Sequence, residues 1–395
     1  MPAKKYTILF LLYTTQTLPV AFMSTALPTI MRMEGSTLQT ITFMSLTSLP
    51  LTIRFLWASL IDRYGKRYFN WVTVFTVLYA LFFFPAYFLD LQDIPALTVL
   101  FTLSMLCMSI QDIALDAFAI TALKAGQRSI GNGLQTGGNY LGLLLGGGVL
   151  LLFYDKLGWK NTILILSLLT ILPIVTTILY AKESEKTVSN QKVHFKDIFS
   201  YFTEKEFRSW IPILMLLIIP LNVALSFSKP LLIDKGFGLA RVGYMIGISA
   251  GIAKVFSGFL TGIVLKSLTL RVKLLAAVAS SAAGVIFALL LLHVDMKQET
   301  TALVYCIVMG IMVGINMMVM NETSMKYVRE GKEGLDYSTQ QFLRYLLYTP
   351  LLVACGGLVD DYGYAVLFYS MLAISIILGG MVFYSFSHKR ERHIF

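Results

Sequence analysis

Residues 111–126 read Gln-Asp-Ile-Ala-Leu-Asp-Ala-Phe-Ala-Ile-Thr-Ala-Leu-Lys-Ala-Gly, and residues 316–331 read Asn-Met-Met-Val-Met-Asn-Glu-Thr-Ser-Met-Lys-Tyr-Val-Arg-Glu-Gly. The two stretches lie 205 residues apart and share one ungapped layout. In the first, Gln111 and Asp116 are followed by Gly126, Gln135, Tyr140, Asp155 and Gly158; in the second, Asn316 and Asn321 are followed by Gly331, Gln340, Tyr345, Asp360 and Gly363. Polar residues repeated inside two greasy runs point to a duplicated half, and a duplication of that kind organises the rest of the chain.

Composition fixes the solvent. The chain is 56% hydrophobic and 14% charged, with a mean hydropathy of +0.72, whereas a soluble domain carries about 25% charge. A hydrocarbon core of ~30 Å needs about 20 apolar residues per helical crossing. Twelve runs qualify, near 7–31, 38–60, 69–89, 94–123, 131–153, 159–181, 207–228, 239–264, 272–293, 299–325, 336–358 and 363–387. The expectation is an all-α membrane protein with twelve transmembrane helices. Lys4 and Lys5 precede a first run of about 25 residues, too long for the ~7–15 of a cleavable signal, so it reads as a retained span. Cys107, Cys306 and Cys355 fall within spans, which implies no disulfide framework.

A net charge of +10 could point to nucleic acid, but its placement argues otherwise. With both termini cytoplasmic, 22 of the 32 Lys and Arg face the cytoplasm, 7 face outward, and Arg54, Lys254 and Arg344 lie inside spans. That asymmetry is the positive-inside bias of a multi-pass protein, so no nucleic-acid partner is expected. Residues 182–206 form the longest polar segment and divide the spans six and six, with a short surface helix expected around Phe195–Phe202. The expected domains are a bundle over 1–181, a cytoplasmic linker over 182–206 and a second bundle over 207–395.

Two six-helix halves of this kind describe the major facilitator fold, and the loop after the second span strengthens the likeness. It reads Ala58-Ser-Leu-Ile-Asp62-Arg63-Tyr-Gly65-Lys66-Arg67. This resembles the major facilitator signature, although Ala58 stands where the family usually has Gly. The resemblance implies a conformational latch built on Asp62, Arg63, Gly65 and Arg67, with Asp62 at a neighbouring helix N-terminus, where the dipole favours negative charge. Thr15-Gln16-Thr17-Leu18-Pro19, Pro50-Leu-Thr-Ile-Arg54-Phe55-Leu56-Trp57 and Gln111-Asp112-Ile-Ala-Leu-Asp116 together look like the branch holding muropeptide permeases, acetyl-CoA transporters and siderophore-uptake permeases. The compact length leans towards the last of these.

Ionisable groups at membrane depth cost ~2.5–3.5 kcal/mol each on insertion scales and need partners or water. Arg54 lies at nearly the depth of Asp112, with Asp116 one turn further down, which makes a pairing with either plausible, and Lys254 with Glu322 would be its copy in the second half. These pairs are either static or a proton-coupling network. Arg344 has an uncharged counterpart, Asn139, and its planar fork suits an anionic part of a substrate; pairing with Glu322 is the alternative. Tyr13, Gln16, Gln135, Asn139, Asn316, Gln340 and Tyr348 complete the candidate substrate-binding set. The four His residues are scattered, no phosphate-cradling loop is present, and no cofactor, metal or catalytic function is expected.

The resemblance therefore implies a monomeric secondary transporter of the cell inner membrane, importing a small organic solute with protons by alternating access. An iron-siderophore is the leading substrate. A muropeptide or other anionic metabolite, or an efflux antiporter, is the alternative, and a non-transporting receptor is the reading from another class.

Overall fold

The computed structural model of the chain describes residues 2–64, 67–180, 193–194, 196–205, 207–293 and 299–386. Among the described residues, nine helices are long and apolar enough to cross a membrane, and one bent pair qualifies as a further span. Two of the nine, Arg128–Leu172 and Glu333–Ser385, run for 45 and 53 residues. At 1.5 Å per residue these are about 68 and 80 Å of helix, enough for two crossings each of a ~30 Å core. They break at Gly158 (φ 66°, ψ 177°) and at Gly363 (φ 80°, ψ 170°). These glycines are the last paired positions of the 205-residue repeat, and both adopt a backbone that only glycine takes without steric cost.

Counting each double-length helix twice, with the bent pair, gives the twelve crossings expected. In chain order they are α1 (Lys5–Met33), α2 (Phe43–Thr52 with Phe55–Tyr64), α3 (Tyr68–Phe88), α4 (Ile94–Ala122), α5 (128–157), α6 (159–180), α7 (Trp210–Asp234), α8 (Gly243–Val264), α9 (Leu270–His293), α10 (Glu299–Lys326), α11 (333–362) and α12 (364–385). The surface helix of the linker spans Asp197–Thr203; Phe195 lies outside the described residues.

The repeat shows again where α1 and α7 end. Neither stops at its proline, Pro28 or Pro230. Each continues to a glycine at positive φ, Gly35 (86°) or Gly236 (93°). The amides of Gly35 and Ser36 bond Arg32 O and Met31 O, and those of Gly236 and Phe237 bond Ile233 O and Leu232 O. Both ends are therefore Schellman caps, in which a left-handed glycine lets the chain satisfy the last carbonyls.

The chain forms two compact units. The first comprises Met1–Lys124, Gly138–Ile198 and Val328–Ser338. Its core joins α1, α3, α4 and α6 through Phe22, Phe83, Phe101 and Trp159, with Phe83 stacked on Phe101 at 5.3 Å. Trp159 Nε1 donates to Ala86 O and Leu89 O, closing the end of α3. The second comprises Ala125–Gly137, Phe199–Tyr327 and Thr339–Phe395. There α8 and α10 meet through Gly310 against Ala250 and Gly314 against Ser257, while Gly262 meets Gly133. Small residues at four-residue spacing are how membrane helices approach when no hydrophobic effect drives them together.

In the first unit the same device joins α5 to α1. Gly138, Gly142 and Gly146 lie against the backbone of Phe10, Thr14 and Leu18 in turn, and a Cβ at Gly142 or Gly146 would collide with a carbonyl oxygen. The glycine run at 146–148 sits in a wide π-helical turn, Leu144–Val149, which packs on a second such turn in α1, Phe22–Ala26. Gly142→Ala is expected to lower the thermal unfolding midpoint through about 1–3 kcal/mol of overpacking. Gly380→Ala, where a Cβ meets nothing within 4 Å, should leave it unchanged or higher; equal behaviour of the two variants would refute the contact.

Candidate functional site

Arg54 owes its position to a fault in α2. Pro50 has no N–H to continue the helical ladder; the turn before it tightens, with Leu49 N–H bonding Leu46 O, and the two pieces of α2 meet at 43°. Arg54 lies at this break, buried, and points at α4. Asp112 and Asp116 stand one turn apart there and so share a face. The guanidinium pairs with Asp112 and lies 3.6 Å from Asp116. From α1, Gln16 Nε2 donates to the other oxygen of Asp112, and Tyr13 OH donates to Asp116 at 3.0 Å. The three segments that carried the sequence resemblance thus form one largely buried network of a cation, two carboxylates and an amide, which the phenol of Tyr13 joins from the same helix as Gln16. Beside it, Thr17 Oγ1 donates to Asn139 Oδ1 at 3.0 Å, tying α1 to α5.

In the second unit the expected Lys254–Glu322 pair does not form. Glu322 accepts instead from Lys273 Nζ, at 2.6 Å, and Lys273 also reaches Ser129 Oγ. The reason is register. Lys254 O lies beside Gly314 on α10, eight residues from Glu322, which is about 12 Å along the helix. Lys273, in the first turn of α9, occupies the level that depth counting had given to Lys254.

Arg344 is 1% exposed. Its guanidinium donates to Asn321 Oδ1 and Gln341 Oε1 at 2.9 Å and to Ser324 Oγ at 2.6 Å. Gln340 is engaged at both ends: Trp210 Nε1 donates to its oxygen, and its nitrogen donates to Ser324 O and Tyr327 O, closing the end of α10. Asn316 donates to Ala277 O and Ser281 Oγ on α9. Gln135 is buried, while Tyr348 is half-buried with its hydroxyl 3.0 Å from Ser226 Oγ. Arg344 and Asn321 come together; Asn316 stands apart from them, about one and a half turns up α10.

Asp62 is buried at 4% exposure. It accepts the amides of Gly334 and Leu335, at 3.0 and 2.7 Å, in the first turn of α11, and the hydroxyl of Tyr68 at 2.8 Å. This is the carboxylate-on-helix-terminus arrangement that the loop motif implied. A Cβ at Gly334 would come within 2.8 Å of Asp62 Oδ1, so glycine there permits the approach. Tyr68 also lies 3.3 Å from Glu333 Oε2, and sequence reading missed it. Arg63 and Arg67 are exposed, and Arg63 stacks over Tyr64 at 5.3 Å rather than joining Asp62. Gly65 lies outside the described residues.

Next to this contact, Arg329 grips Asp336 with two nitrogens at 2.8 and 2.7 Å and donates to Asp197 O. Lys332 pairs with Asp197 at 3.2 Å. Burial alone would push the Asp197 carboxyl up, but the His194 amide, the Lys332 bond and the charges of Lys332 and Arg329 hold it below its ordinary value.

A family model described as the Major Facilitator Superfamily matches residues 7–349. The anhydromuropeptide permease of Escherichia coli (strain K12) is 28% identical over 277 residues, which cover 67% of this chain and 56% of that protein. The chain thus spans little more than half the length of that relative. An uncharacterized protein of Haemophilus influenzae (strain ATCC 51907 / DSM 11121 / KW20 / Rd) is 23% identical over 265 residues, 64% of this chain and 62% of that one. Among solved structures, the human organic anion transporter MFSD10 (TETRAN) superposes with a TM-score of 0.73 at 12% identity, covering 96% of this chain and 99% of that chain. The proton:xylose symporter XylE bound to 6-bromo-6-deoxy-D-glucose does so with a TM-score of 0.71 at 11% identity, covering 98% and 95%. At those identities the likeness is one of fold.

Proposed function

The chain belongs to the Major Facilitator Superfamily, and from that premise we propose that it is an inner-membrane permease importing a muropeptide-like solute by proton symport. Alternating access moves the solute, and both termini are cytoplasmic. The observation that carries the coupling is the buried network on α1, α2 and α4, in which Arg54 is shared by Asp112 and Asp116 while Gln16 and Tyr13 hold the outer oxygens. A guanidinium that can favour either of two carboxylates leaves the other to a proton, and intramembrane groups of this kind form proton relays. The solute class rests on the 28% identity to the anhydromuropeptide permease. The iron-siderophore alternative rests on the resemblance of the sequence motifs to the branch that also holds siderophore-uptake permeases.

Solute contact falls to side chains that keep some exposure. In the first unit these are Gln16 and Asn139; in the second, Tyr348. Tyr13, Gln135, Asn316, Gln340 and Arg344 are buried and fix the helices behind such contacts. Lys254 stands buried on α8 as a further charge.

The test is uptake of labelled anhydromuropeptide and of labelled ferric siderophore into proteoliposomes with the outside made acid. Muropeptide accumulation that collapses with the gradient is expected; accumulation of the siderophore alone would reassign the solute, and no flux of either would remove the reading. Asp112→Asn, which removes the charge paired with Arg54, is expected to abolish accumulation while sparing exchange of solute across the membrane without a gradient. Undiminished accumulation would move the coupling to Glu322 and its partner Lys273.

A further inference from the structure

Behind the charge network, α1, α3, α4 and α6 enclose a small cavity lined by Thr15, Gln16, Thr76, Tyr79, Met108, Gln111 and Thr170. Its volume is about 10 Å³, close to what the centre of one water molecule needs. The lining divides into two sets. Each threonine hydroxyl is already spent on its own helix: Thr15 donates to Leu11 O, Thr76 to Val72 O and Thr170 to Ser167 O. By contrast, Gln16 Oε1, Tyr79 OH and Gln111 Oε1 are buried without a hydrogen-bond partner among the described residues. Buried polar atoms in native proteins are nearly always bonded, and three on residues that line one cavity need a common explanation.

We infer that this cavity is the site of one internal water molecule bridging Gln16, Tyr79 and Gln111. The donor count closes: water donates its two hydrogens to the two amide oxygens and accepts the phenolic hydrogen of Tyr79. Three bonds are the usual complement of a buried water. No other small species fits as well. A cation would find no carboxylate in the lining, an anion would meet two carbonyl oxygens, and an apolar guest would leave all three atoms unbonded.

The site also explains how Gln16 is oriented. Its nitrogen donates to Asp112, and only the amide orientation distinguishes that donor from an oxygen that would repel the carboxylate. A water donating to Oε1 holds the amide that way round. The molecule therefore ties three helices together directly behind the charged face, and it does so whatever solute the protein carries.

The experiment is a structure of the full chain at a resolution where ordered solvent is visible, alongside Gln111→Leu and Gln111→Glu. Density for a single water within hydrogen-bonding reach of all three atoms is expected in the native protein. It should vanish in Gln111→Leu, which removes an acceptor, and persist in Gln111→Glu, which keeps one. A dry cavity in the native protein, or density that survives Gln111→Leu unchanged, overturns the inference. Thr76→Val should keep the water, because its hydroxyl serves Val72; loss there would also count against the assigned partners. The native measurement decides the matter even if a variant fails to fold.

Discussion

Arg54→Leu is expected to destabilise the protein by about 3–5 kcal/mol and to abolish accumulation outright, because it leaves two buried carboxylates without their cation. Asp112 and Asp116 would then stand one turn apart on α4, facing the neutral donors Gln16 and Tyr13 in place of a cation. The double variant Arg54→Leu/Asp112→Leu separates structure from function. Replacing a buried pair by apolar groups is often neutral, so the double variant should recover part of the unfolding midpoint lost by the single one, the remainder being Asp116 left without its cation. It should recover none of the gradient-driven uptake. Restored uptake would show the network to be a mere helix clamp, and unrestored stability would show that the pair is not where the energy lies.

The second large effect is expected at Asp62. Its carboxylate accepts two amides of α11 and one hydroxyl, and hydrogen bonds to a charged group contribute about 1.5–3 kcal/mol each. Asp62→Asn removes the charge and turns an NH₂ towards at least one donor. The conformation described above should lose population by about tenfold for each 1.4 kcal/mol. On the alternating-access proposal every transport cycle passes through that conformation, so the maximal rate is expected to fall at least ~10-fold, with solute affinity changed by less than ~2-fold. Gly334→Ala should reproduce the defect by forcing the carboxylate off the helix terminus. A normal rate in both variants would remove the contact from the cycle.

Much of this was legible in the chain because the repeat carries geometry as well as identity. Gly158 and Gly363 were visible as paired positions, and they prove to be the same corner built twice. Arg54, Asp112 and Asp116 could be matched by depth because α2 and α4 both run between well-marked ends. The same reckoning failed for Lys254, since the α8–α10 register is set by Gly310 and Gly314 meeting Ala250 and Ser257, a packing choice that residue counting does not reveal. Tyr68 escaped notice because a tyrosine after a basic loop has no distinctive pattern; its role comes from the approach of α11. Lys273 looked like one more loop cation under the positive-inside bias, and only the fold turns it towards Glu322.

The facing wide turns of α1 and α5 have a mechanical corollary. Each holds one residue more than an ordinary helical turn requires, and such a surplus can travel along its helix like a ruck in a carpet. Passing one position swings the intervening side chains by roughly 100° about the axis, since 3.6 residues make a full revolution. Thr25 sits against Gly147 where the two surpluses touch, so neither can migrate without the other giving way. The stretch of α1 above Gln16 is therefore coupled to α5 through this contact, and a rotation of one there would press directly on the other.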